Sequence, residues 1–143
     1  CLPLGHENLK QQAQFQLSIE VDGAFEVLPA DIGITPECMA EIHTHDTTGT
    51  VYVESVVEDR RRSLGDFFAV WGKPLERDGY TLTVLVNDLP NSARERFLFR
   101  PGQSVVLQYR SPGFVPPEEI NFDELFGEKE KKATAETRRP QLQ

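Results

Sequence analysis

The sequence predicts an α+β domain, mostly β with one central helix. The arrangement expected is β-grasp-like, with an extra N-terminal hairpin. Three observations predict it. Segments that alternate apolar and polar residues recur along positions 14 to 110, and a period of two marks half-buried strands. Segment 63 to 72 carries its apolar residues at helical spacing. That segment lies between strand segments rather than at either end. A small β-sandwich with one helix is the alternative architecture.

The elements follow in order. Phe15, Leu17, Ile19 and Val21 alternate with Gln14, Gln16, Ser18 and Glu20. Asp22-Gly23 is a two-residue hairpin turn, because both residues tolerate positive φ. Phe25, Val27 and Leu28 make the return strand, ended by Pro29. A loop punctuated by Gly33 and Pro36 leads to "EIHTHDTTGTVYVES", residues 41 to 55. Asp46 to Gly49 is turn-like there, and Val51 and Val53 alternate with Tyr52 and Glu54, which predicts a second hairpin. In the helix, Ser63 is the N-cap with Asp66 three residues on. Leu64, Phe67, Phe68 and Trp71 form one apolar stripe, a core face rather than an aromatic cofactor box. Gly72 suits a left-handed C-cap and Pro74 prevents continuation. Tyr80, Leu82, Val84 and Val86 share one face of a strand. "RFLF", 96 to 99, predicts a short strand, and "RPGQSVVLQY" a turn followed by a strand.

From Ser111 the composition changes. Pro112, Pro116 and Pro117 break regular structure. Ile120, Phe122, Leu125 and Phe126 could form one face of a short amphipathic helical stretch. The last residues, 129 to 143, carry too little apolar surface to fold alone. The expected division is therefore a tether at 1–13, a globular domain at 14–110 and an acidic to polar tail at 111–143.

Composition narrows the function classes. The chain has 143 residues and a net charge of −8. An acidic surface argues against nucleic-acid binding, which needs a basic patch. No run is long and apolar enough to span a bilayer. The chain begins at Cys1, followed by a short polar stretch, as a mature bacterial lipoprotein does, so Cys1 is the expected lipid attachment point. Lipidation would leave Cys38 as a lone thiol; without it, a Cys1–Cys38 disulfide is open.

Two resemblances add to this reading. The Ser63-Leu64-Gly65-Asp66-Phe67-Phe68 helix start, Val84-Leu85-Val86-Asn87 and Pro101-Gly102-Gln103-Ser104-Val105 resemble the β-grasp sulfur carriers. Those proteins end in an activated Gly-Gly, whereas this chain ends in Gln143, so the resemblance implies the fold and not sulfur transfer. Residues 14–23, 42–54 and 63–72 are similar to a family of exported or membrane-attached bacterial and archaeal proteins. Its pattern runs H-x-H-L-x-I-x-V-x-G, L-H-T-H-D-x-x-G-x-I-H-V-E and T-L-G-x-F-F-x-V-W-G, and it brings no established activity. At Gln14, Gln16 and Tyr52 this chain departs from histidines of that pattern, which implies a reduced metal site.

The candidate site residues are few. Alternation puts Glu41, His43 and His45 on one strand face, opposite Glu54, Tyr52 and Thr50. Zinc or copper accepts such nitrogen and oxygen ligands. The plainer explanation is a solvated strand face, because Ile42, Val51 and Val53 mark the other face as the core side. Ser63 has no visible base, and Asp22, Asp31, Asp46 and Asp66 sit where turns and caps want aspartate. Arg60-Arg61-Arg62 reads as a solvated loop, or as a contact for lipid head groups or an acidic partner. The expectation is thus a non-enzymatic, lipid-anchored accessory subunit on the periplasmic or extracytoplasmic face of a membrane. It would carry no cofactor and dock on a larger membrane complex, such as a respiratory or photosynthetic one, through Ile120, Phe122, Leu125 and Phe126. The alternative is a periplasmic copper- or zinc-binding protein with His43, His45, Glu41 and Glu54 as ligands.

Overall fold

A computed structural model describes residues 1–2 and 8–116. The chain divides into two compact units, 1–112 and 113–143, and every strand and helix named below lies in the first. The partner-binding residues expected at Ile120, Phe122, Leu125 and Phe126 lie outside the described residues.

Seven strands form one mixed sheet. They are β1 (Gln11–Val21), β2 (Ala24–Glu26), β3 (Ile42–Thr44), β4 (Thr50–Ser55), β5 (Thr81–Val86), β6 (Leu89–Pro90) and β7 (Ser104–Arg110). Among the described residues the one α-helix, α1 (Leu64–Trp71), comes between β4 and β5. The strand order is β3-β4-β1-β7-β5-β6, with β2 also paired to β1. At the centre β1 runs parallel to β7, from Gln16↔Ser104 to Val21↔Tyr109, and every other pairing is antiparallel. The described residues therefore form an α+β domain, mostly β with one α-helix, in which β1 is the central strand of the sheet. One continuous sheet replaces the two facing sheets that a sandwich would need.

The core lies on the helix side of the sheet. Phe15, Leu17 and Ile19 of β1, Val51 and Val53 of β4, Val105, Leu107 and Tyr109 of β7, and Leu82 and Val84 of β5 all belong to one buried cluster. Leu64, Phe67 and Phe68 of α1 meet it. A fully buried side chain of this size contributes about 1.5–3 kcal/mol, so this face dominates the stability of the domain. The helix is framed as the sequence predicts. Ser63 Oγ accepts from Asp66 N at 3.0 Å, and Asp66 Oδ2 accepts from Ser63 N at 2.8 Å. Gly72 ends it with φ 80°, a conformation that costs glycine little.

Several details differ from expectation. Strand β1 begins at Gln11, and Cys1 and Leu2 are held to the domain. Leu2 is buried, and its N–H donates to Met39 O at 2.7 Å. Cys1 and Cys38 form a disulfide. A sulfur in that bond cannot also carry a lipid thioether, so the structure holds the alternative pairing rather than the lipid attachment expected at Cys1. Segment 96–99 is not a strand. A 3-10 turn at Arg94–Arg96 precedes a single bridge between Ser63 and Leu98, with Phe97 and Phe99 turned into the core. Asn87-Asp88, with φ of 48° and 70°, makes a β5–β6 hairpin where the sequence predicted only the end of a strand. The return strand β2 is short, and Phe25 and Val27 are exposed while Leu28 is buried.

Candidate metal centre

The β3–β4 hairpin carries the candidate site. Its register is Ile42↔Val53, His43↔Tyr52 and Thr44↔Val51. Ile42 and Thr44 therefore face the helix side, and His43 the opposite side, as alternation predicts. Burial does not follow. His43 is 0% exposed and Glu54 is 7% exposed, although both lie on the face expected to be wet. The Tyr52 ring stacks on His43 at 5.9 Å between centroids, and the His45 ring meets it edge-on at 4.8 Å. The loop before β3 closes the remaining side. Gly33 comes so near that a Cβ there would stand 2.6 Å from Ile42 O and 3.2 Å from His43 Cβ. With φ +81°, Gly33 also takes a conformation that side chains disfavour. The alternation showed the face correctly, but the packing on it comes from the Gly33 loop and the Tyr52 ring.

His43 sits between two oxygens. Its Nδ1 is 2.7 Å from Ala40 O, and its Nε2 is 3.0 Å from Glu54 Oε1. A carbonyl only accepts, so Nδ1 carries a hydrogen and donates it to Ala40. A neutral imidazole has one N–H. Nε2 then presents a lone pair to a carboxylate oxygen in a buried place, and that pairing needs one more positive charge. Either a proton on the pair or a metal cation held by both atoms supplies it. Fixing Nδ1–H on a backbone carbonyl is also how metal-bound histidines are commonly oriented.

His45, exposed at the end of β3, completes a group of three. The candidate ligand atoms of His43, His45 and Glu54 all lie within 4.8 Å of one another. A tetrahedral zinc with bonds of about 2.0–2.1 Å places its ligands about 3.3 Å apart. The His43–Glu54 pair is already close to that separation, and the exposed His45 ring lies beside it, edge-on to both His43 and Tyr52.

Glu41 is not part of this group. It precedes the first ladder residue of β3, and its carboxylate turns to other partners. Ser55 Oγ donates to it at 2.7 Å, Arg60 Nη1 lies at 3.4 Å and Arg62 Nη2 is closer still. Burial pushes the Glu41 carboxyl up, but the Ser55 hydrogen bond and the Arg62 and Arg60 charges outweigh it and hold the group below its usual range. Sequence spacing gave no sign of this arginine clamp, because Arg60 and Arg62 come from the far side of β4.

No family model, curated protein or solved structure matches this chain. The positions where the resembled pattern carries histidines fall beside the candidate site. β1 pairs with β4 through Gln14↔Tyr52 and Gln16↔Thr50, so Gln14, Tyr52 and His43 form one cross-strand row. Gln16 instead donates to Thr48 O and accepts from Thr50 Oγ1 at 3.3 Å, which stitches the β3–β4 turn to β1. Thr48 in turn donates to Asp46, and those bonds hold the Asp46 carboxyl below its usual range. Among the described residues no helix is long and apolar enough to cross a membrane.

Proposed function

We propose that this domain is a non-enzymatic metal-binding protein that holds one zinc or copper ion at His43, His45 and Glu54. The observation that carries the reading is the fully buried His43 imidazole, set between a carbonyl at Nδ1 and a carboxylate at Nε2. Such a placement suits a cation ligated by Nε2 and Glu54. Two imidazoles and one carboxylate match the donor preferences of both metals. The exposed His45 provides the entry side. The Cys1–Cys38 disulfide supports an oxidising compartment such as the periplasm. Because the ligands must be deprotonated, uptake weakens as pH falls.

Dialysis against zinc or copper followed by elemental analysis tests this. One metal per wild-type chain, and none in His43→Ala/His45→Ala, is expected. Equal metal content in the two proteins overturns the assignment.

A second reading has one observation of its own. Phe25 and Val27 are 68% and 74% exposed, close together at the sheet edge. Exposed apolar side chains on an edge strand suit contact with another protein. This supports an accessory subunit that docks on a membrane complex, in a form that does not need lipid on the Cys1 sulfur. Recovery of only the free chain from detergent-solubilised native membranes would count against it.

A further inference from the structure

The arginine run divides in the structure. Arg60 and Arg62 turn to Glu41, whereas Arg61 is exposed and lines a cleft of about 610 Å³. The cleft lies between the start of β1, the loop after β4 and the segment leading to β7. Its floor is Phe15, Val53 and Phe99, each 5% exposed or less. The Phe15 and Phe99 rings stack at 3.8 Å with 14° between their planes. Lys10, Arg61 and Arg100 stand around the floor, and none of them forms an ion pair among the described residues. Glu58 and Asp59 also line the cleft. Arg60 lines it too but is paired with Glu41, so three remaining cations face two acids, and this concavity is locally positive on a chain of net charge −8.

We propose that this cleft binds a small amphipathic anion, an aromatic or aliphatic body carrying one sulfonate, carboxylate or phosphate group. A cavity of this size, with an apolar floor and a few convergent polar groups, is the usual form of a small-molecule site. The apolar body rests on the floor at the Phe15–Phe99 stack. The anionic group meets Arg61 and Arg100, whose planar guanidinium groups fork onto such anions, and Lys10 adds an unforked charge. The acidic remainder of the surface disfavours long polyanions, so the charge pattern selects a ligand small enough to stay within the cleft.

The test uses the full chain in EDTA, which separates this cleft from the metal centre, with 8-anilinonaphthalene-1-sulfonate as probe. Fluorescence titration is expected to give saturable binding that weakens with added sodium chloride. In Arg61→Ser/Arg100→Ser, where both side chains are exposed and hold no other element, binding is expected to weaken at least about tenfold. Amide shifts in the wild type provide a second readout, with perturbations centred on 10–13, 58–61 and 99–101. Absence of saturable binding overturns the proposal. So does equal binding by the double variant, or a set of shifts confined to other surfaces such as Phe25 and Val27.

Discussion

At the scale of single residues, Glu41 and His43 show how neighbours decide chemistry that spacing cannot. They are two apart on one strand segment, yet Glu41 serves an arginine clamp and His43 faces Glu54. Because the Glu41 carboxyl is held below its usual value of 4.5, the unfolded chain binds more protons than the folded one as pH drops through that region. Glu41 therefore contributes stability that is fully present above pH 4.5 and is lost as pH falls through the lower folded value. Glu41→Gln is expected to destabilise the domain by about 1–3 kcal/mol at neutral pH. Denaturant titrations across pH should show that difference shrinking in acid, and a constant difference would contradict the clamp. Tyr109 behaves in the opposite sense. Burial pushes its phenol up to about 12, so its contribution is complete below pH 10 and is lost as pH rises toward 12. The His43↔Tyr52 register was legible from the Asp46–Gly49 turn. The burial of His43 was not, since alternation names a face of the sheet and not what packs upon it.

Among the elements, α1 was the most legible, because caps and stripe are both local. Ser63, Asp66, Gly72 and the Leu64, Phe67, Phe68 face all do in the structure what their types predict. Ser63→Ala removes the acceptor for Asp66 N and is expected to cost about 0.5–2 kcal/mol. A chemical-denaturation midpoint unchanged from wild type would show that the cap is dispensable. The hairpins were legible to different degrees. Asp22-Gly23 was clear, and the Asp22 carboxylate has a further task, accepting from Ser111 N at 2.8 Å and Ser111 Oγ at 2.6 Å beyond the end of β7. Segment 96–99 looked like a strand because Phe97, Leu98 and Phe99 make a short apolar run rich in aromatic residues. The 3-10 turn at Arg94–Arg96 leaves it only one bridge to Ser63, so the phenylalanines reach the core without a ladder.

For the whole domain, the parallel pairing of β1 with β7 was the least local feature, since it joins the first and last strands in sequence. Nothing local in the sequence marks it, and the hairpin that contains β1 was expected as an addition to the other elements. The Cys1–Cys38 disulfide closes a separation of 37 residues and ties the beginning of the chain to the loop that carries Ala40. Its reduction is expected to cost about 2–4 kcal/mol, read as a lower midpoint in thermal melts with reductant, and an unchanged melt would contradict that. The same loop positions the Ala40 carbonyl on His43, so the fold and the proposed metal centre share one support. The most direct measurement is imidazole nitrogen NMR of the nitrogen-15-labelled full chain, recorded metal-free and with one equivalent of zinc at neutral pH. His43 is expected to bind zinc through Nε2 while Nδ1 keeps its proton, and His45 to shift with it. Nitrogen signals of His43 and His45 that stay unchanged on adding zinc would contradict the metal-binding reading.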